Sequence, residues 1–165
     1  MLRQKSGEKF CPMPSLLYFC GMKTDIVTIL EGELFTDHRG IIASLNNFRF
    51  PGVERVYFIR HDSVGVVRGW HGHQYERKWF FCVKGSFRMG FVRPDNWEHP
   101  SPDLEPEFVE LTEHEPKIVC VPAGYANCLK AHEPGSVLMV LSGATYPECL
   151  DDSWRYPTTM WWRDE

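Results

Sequence analysis

The chain has 165 residues, of which 14% are aromatic and 24% charged, with a formal net charge of −4 at pH 7. That length suits a single domain able to bury roughly two-thirds of its unfolded surface, and the negative balance gives no general basic field for nucleic acid. No apolar run approaches the ~18 residues of a membrane-spanning helix, and the six cysteines, in no C-x-x-C spacing, read as reduced small hydrophobes for which the cytoplasm is the simplest compartment.

Residues 1–21 are basic, then mildly apolar, and too short and proline-bounded for a signal peptide. They read as a peripheral extension, and the domain is expected over 22–165. Asp25 to Leu30 and Leu34-Phe35 read as strands, Asp37-His38-Arg39-Gly40 as a turn, and Ile41 to Leu45 as a third strand. Asn46 to Val53 is a loop, and Glu54 to Arg60 alternates with Arg55 and Tyr57 on one face.

The central stretch is Arg68-Gly69-Trp70-His71-Gly72-His73, followed by Lys78-Trp79-Phe80-Phe81-Cys82-Val83 up to Gly85. In an extended chain His71 and His73 leave the same face. Arg68 would leave the opposite one, unless Gly69 permits a bulge that re-aims it. Two imidazoles, a lysine and an arginine on adjacent strands make a cationic site whose groups exchange protons near neutral pH.

Beyond Gly85, Ser86 to Val92 is a strand and the proline-rich Arg93 to Pro106 a long loop. Short strands are expected at Phe108 to Leu111 and Lys117 to Val121; Pro122 to Asn127 breaks the run and Cys128 to Ala131 resumes it. Val137 to Leu141 is the most continuously apolar strand, and Trp154 to Trp162 a closing strand or helical turn. The histidines at 38, 61, 99, 114 and 132 fall in turns and are expected to be solvated. About ten short strands with almost no helical periodicity argue an all-β antiparallel sandwich or barrel.

Gly65, His71, His73 and Gly85 stand in the frame of the first cupin motif, and Pro122-Ala123-Gly124 with Asn127 in that of the second. Together they imply a single-domain cupin jelly roll with its site inside the barrel. Where metal-binding cupins place a glutamate and a third histidine, this chain has Lys78 and Asn127. A lysine repels a divalent cation and an amide is a weak ligand for a transition metal, so no metal is expected. Glu76 is nearby but out of frame by two.

Arg68-Gly69-Trp70-His71, Lys78 with Gly85, and Pro122-Ala123-Gly124-Tyr125-Ala126 resemble the motifs of the dTDP-4-dehydrorhamnose 3,5-epimerases. The His-x-His itself, with Asp37-x-Arg39-Gly40, Arg55-Val56-Tyr57 and Val137 to Leu141, is closer to the related dTDP-sugar 3,4-ketoisomerases. The chain departs from the epimerase pattern at three places. The second catalytic acid falls on Met139, Tyr156 stands where an aspartate would pair with the catalytic histidine, and Asn127 replaces a histidine.

The resemblance implies a nucleotide-linked 4-keto-6-deoxy sugar as substrate, no organic cofactor, a place in deoxysugar or polysaccharide biosynthesis, and a homodimer. For that dimer Trp154, Trp161 and Trp162 offer apolar material. It casts His71, His73 and Lys78 as catalytic, and Arg68, Tyr57, Arg39, Asn127 and Met139 as substrate-binding. A C4 ketone acidifies its neighbouring hydrogens; a base removes one, and a cation or donor near O4 holds the enolate. Epimerisation needs a second acid across the ring, whereas ketoisomerisation returns the proton to C4, a demand that two histidines on one face meet. The rival readings are a sugar-binding cupin without catalysis and a metal-dependent dioxygenase-type cupin.

Overall fold

The computed structural model describes residues 25–164; the extension expected over 1–21 and the boundary at Met22 lie outside them. The chain runs through β1 (Thr28–Glu31), β2 (Glu33–Asp37), β3 (Gly40–Ser44), β4 (Arg55–His61), β5 (Val67–His73), β6 (Lys78–Lys84) and β7 (Ser86–Val92). It continues through β8 (Glu107–Thr112), β9 (Lys117–Val121), β10 (Tyr125–Ala131), β11 (Ser136–Ser142), a short α1 (Tyr146–Asp151) and β12 (Trp154–Arg155). Two five-stranded antiparallel sheets face each other, ordered β1-β9-β6-β11-β4 and β12-β5-β10-β7-β8, with β2 and β3 as a separate hairpin. This is the cupin jelly roll. Every long strand pairs with partners distant in sequence, so the site is assembled from segments that only the fold brings together.

Alternation divides the barrel interior into two parts. Phe80, Phe87, Met89, Leu111, Val119, Leu129, Leu138 and Val140 fill one part as the main core. The other is left to polar side chains from β4, β5 and β6. Both outer faces are partly covered. Trp79, Ile118, Cys120 and Leu141 lie beneath Leu45, Phe48 and Val53 on the first sheet, and Trp70, Val92 and Cys128 lie beneath Trp161, Met160 and Tyr156 on the second.

Three local features differ from the expectation. β10 begins at Tyr125, so Asn127 sits inside a strand, because Gly124 completes the turn after Pro122 within two residues. Residues 146–151 form a helix, started by Thr145, whose backbone N–H and hydroxyl both donate to the Glu148 carboxylate, with Pro147 in the first turn. His61 is not solvated; it is buried at the end of β4 with its ring edge-on to Phe87.

At the pairing of β5 with β10, Asn127 faces His71 but Cys128 faces Gly69, so Trp70 is the extra residue of a bulge. Gly69 has φ of +125°, and a Cβ there would lie 2.6 Å from the Asn127 carbonyl oxygen. Only glycine fits. The bulge shifts the alternation by one, which is how Arg68 comes to share a face with His71 and His73.

Candidate active site

A cavity of about 180 Å³ opens between the sheets, lined from β4 by Arg55, Tyr57 and Ile59 and from β5 by Arg68, His71 and His73. Lys78 and Phe80 line it from β6, Asn127 and Leu129 from β10, and Cys149 from α1. Of the eight residues singled out in the sequence, the fold brings six together: His71, His73, Lys78, Arg68, Tyr57 and Asn127.

Met139 is a correction, and Arg39 lies outside this cavity. Arg39 sits on the β2–β3 hairpin, well exposed and paired with Asp37, because the tight turn places the two side chains on each other. Met139 lies opposite Phe58 and Phe81 on the outer side of its sheet, while Leu138 and Val140 point into the core. The period of two in β11 therefore puts no acid at that position.

The residue missed by motif counting is Glu76. Its side chain is 1% exposed, and one oxygen accepts from Arg55 Nη2 at 3.2 Å and from Ser142 Oγ at 2.5 Å. The other lies 3.0 Å from His73 Nδ1 and 3.4 Å from Lys78 Nζ. The Nδ1–Oε2 contact is close but off-axis, so neither atom completes an aligned hydrogen bond. Burial alone would raise the Glu76 carboxyl, but the adjoining His73 imidazole, the Lys78 charge and the Ser142 hydroxyl outweigh it and hold it well below the usual carboxylate range. Glu76 thus stands behind the cavity wall as the counter-charge to two cations.

Its position is fixed by Asp152, at the C-terminal end of α1. That carboxylate accepts from the backbone N–H groups of Gln74, Tyr75 and Glu76 at 2.8, 2.8 and 3.1 Å. The same C-terminal segment supplies Ser153, whose Oγ is 3.1 Å from His71 Nε2. Ser153 therefore occupies the place beside His71 that an aspartate was expected to hold, and Tyr156 instead donates its hydroxyl to the Trp97 carbonyl.

The two histidines differ. His73 is fully buried, with Nε2 2.7 Å from Lys78 Nζ. His71 is half-buried, and its Nδ1 has no hydrogen-bond partner among the described residues. Burial, together with the charges of Arg155, Lys78 and Arg68, pushes its imidazole down to about 4, so it is neutral at pH 7. Burial likewise lowers Lys78, against the pull of Glu76. Tyr57 is raised to about 12, by burial first and then by Glu76, so its phenol keeps its proton. Asn127 lines the wall while donating from Nδ2 to the His71 carbonyl at 3.2 Å, which ties β10 to β5 beside the bulge.

Metal ions occupy many cupins, and His73, Glu76 and Cys149 offer donor atoms within 4.8 Å of one another. The set does not fit a divalent cation. Lys78 and Arg55 already neutralise Glu76, and an ammonium sits on the histidine's other nitrogen.

The family model described as "FdtA: WxcM-like, C-terminal" matches residues 25–155. No curated protein matches the sequence. Among solved structures, a 3,4-ketoisomerase from Helicobacter canadensis is similar with a TM-score of 0.62 at 19% identity, over 79% of this chain and 90% of that one. The 3,4-ketoisomerase QdtA from Thermoanaerobacterium thermosaccharolyticum, as a histidine-to-asparagine mutant in complex with TDP-4-keto-6-deoxyglucose, superposes with a TM-score of 0.63 at 21% identity, over 79% of this chain and 87% of that one. The rmlC epimerase of Mycobacterium tuberculosis gives 0.63 at 24% identity, over 77% of this chain and 66% of that one. These likenesses establish the fold.

Proposed function

We propose that this chain, which belongs to the WxcM-like C-terminal (FdtA) family, is a sugar isomerase that moves a proton next to the C4 ketone of a nucleotide-linked 4-keto-6-deoxy sugar. One observation carries the reading: a neutral imidazole, His71, with one nitrogen unpartnered among the described residues, in a cavity that also holds Arg55, Arg68 and Lys78. A neutral imidazole takes a proton, and the surrounding cations stabilise the enolate that forms. Arg68, exposed at the mouth, suits the diphosphate, and Tyr57 hydrogen-bonds a sugar oxygen as a donor. The inward-facing residues of β11, Leu138 and Val140, carry no acid, which favours 3,4-ketoisomerisation over epimerisation, since the proton then returns on the face it left. The chemistry runs without a metal because Lys78 supplies the positive charge that a metal would.

The active unit is a homodimer in this reading. Trp161 is fully buried in its own subunit against Trp70, so it is not material for the dimer surface, while Trp154 and Trp162 are partly buried. The apolar surface lies instead on Val56 and Phe58 of edge strand β4 and on Leu34, Phe35, Ile41 and Ile42 of the β2–β3 hairpin, all exposed. Light scattering that reports a monomer at micromolar concentration refutes it. The buried thiols of Cys82 and Cys128, which form no disulfide among the described residues, suit a reducing cytoplasm.

The test is proton exchange. The wild-type protein incubated with TDP-4-keto-6-deoxyglucose in D2O should incorporate deuterium at C3, and His71→Ala should slow this by roughly 10²–10⁴-fold. Binding without exchange in the wild type would establish the sugar-binding cupin instead.

A further inference from the structure

We propose that Lys78 is a catalytic residue that carries the oxygen-borne proton of the isomerisation between O3 and O4, while His71 carries the carbon-borne proton from C3 to C4. This rests on the ketoisomerase reading above and assigns its second proton path.

The path follows from the contacts of His73. Lys78 Nζ is 2.7 Å from His73 Nε2. An ammonium has three donors and no acceptor, so at that distance it donates, and Nε2 carries a lone pair. The proton of the neutral ring is then on Nδ1, facing the Glu76 carboxylate at 3.0 Å. Nε2 is held by Lys78 and Nδ1 is buried against the Glu76 carboxylate, which leaves neither for a substrate oxygen. The shuttle that two neighbouring histidines suggest is closed here. Lys78, in contrast, lines the cavity and has one N–H left after those facing His73 at 2.7 Å and Glu76 at 3.4 Å.

The step balances. His71 takes the C3 proton; the C3–H electron pair forms the C3=C4 bond, and the C4=O electrons move to O4, which takes a proton from Lys78. The resulting amine keeps one N–H on His73 Nε2, and its lone pair takes the proton from O3. As the O3–H electrons form the C3=O bond, the C3=C4 pair takes the proton held by His71 onto C4. Both groups end as they began. Burial of Lys78 eases the loss of its proton. Glu76 and His73 are positioning residues: the carboxylate fixes the tautomer of His73, and His73 aims the lysine.

Lys78→Arg separates the two paths, because a guanidinium keeps the charge and the donors but does not release a proton near neutral pH. With TDP-4-keto-6-deoxyglucose in D2O, the variant should retain C3 exchange within about tenfold of wild type, yet lose formation of the 3-keto product by roughly 10²–10⁴-fold. Exchange and product falling together, or both surviving, overturns the inference while leaving the isomerase reading in place. Wild type that neither exchanges nor converts the sugar overturns both. Nitrogen-15 NMR of His73 in the substrate-free wild type gives a second check that no folding defect clouds. A proton on Nδ1 and none on Nε2 is expected, and the reverse tautomer refutes the argument.

Discussion

Glu76→Gln isolates the charge on which the site is built, since the side chain keeps its shape and loses only its ionisation. The carboxylate is 1% exposed and faces Arg55 at 3.2 Å and Lys78 at 3.4 Å. Removing one partner of a buried ion pair leaves the others uncompensated, which costs about 3–5 kcal/mol. For a domain of this size that corresponds to a fall in melting temperature of roughly 6–20 °C. The sign of the pH dependence is fixed. Because the folded carboxyl is held below its unfolded value, its contribution is complete above about pH 5 and is lost as pH falls through the folded value. Chemical denaturation of wild type and variant at pH 7 should therefore differ by this amount, and the gap should close progressively below about pH 4. Adding Lys78→Met to Glu76→Gln should recover part of the loss, as a double-mutant cycle between contacting groups requires. A difference below about 0.5 kcal/mol at pH 7, or one that stays constant as the solution is acidified, would refute the account of Glu76 as the counter-charge.

Two further expectations concern β5. With His71 pushed down to about 4, the acid limb of C3 exchange lies near that value. Exchange at pH 5.5 should stay close to its pH 7.5 rate, whereas an ordinary imidazole would leave roughly a tenth; a limb centred near 6.5 contradicts the buried, cation-flanked environment. Gly69→Ala, at φ of +125° and with its Cβ 2.6 Å from the Asn127 carbonyl oxygen, should destabilise by about 2–4 kcal/mol in urea unfolding. A loss under about 1 kcal/mol would mean that the bulge tolerates a side chain.

The barrel was legible because turn residues and short β-branched or aromatic runs carry their own local signals. Most of the strands could be placed to within a residue or two in this way, as with β6 at Lys78–Lys84 and β7 at Ser86–Val92. The His-x-His pair was legible for the same reason: a period of two is a local rule. Arg68 needed the bulge at Gly69, which a glycine permits but does not require. What failed were inferences that depend on phase or on tertiary contact. Met139 occupies the expected place in the chain but the wrong phase of β11, one step from the inward-facing Leu138 and Val140. Arg39 pairs with its neighbour Asp37 outside the cavity, which its place in the motif does not announce. Trp161 looked like interface material because composition does not say that Trp70 waits for it.

Glu76 was hidden because motif spacing is counted along a strand, whereas Glu76 lies on the turn between β5 and β6, where the chain doubles back beneath His73. What folds that turn is Asp152, some 76 residues away, through three backbone N–H groups. Hydrogen bonds to a charged acceptor are worth about 1.5–3 kcal/mol each when made singly, and the exposed flank of this turn, at Tyr75, lets water replace part of that. Asp152→Ala should therefore cost about 2–4 kcal/mol overall. The informative readout is local. Hydrogen exchange at Gln74, Tyr75 and Glu76 should accelerate far more than at the core strands β7 and β10, because the turn loses its acceptor while the barrel keeps its own. If the turn is what presents Glu76 to His73, the His73 tautomer should also lose its definition in the nitrogen-15 spectrum, even at temperatures where the variant is fully folded. Asp152→Glu cannot substitute, since an added methylene moves the acceptor off three converging N–H groups at once. Unchanged exchange at those three amides in Asp152→Ala would show that the turn holds itself, and the geometry of Glu76 would then need another cause.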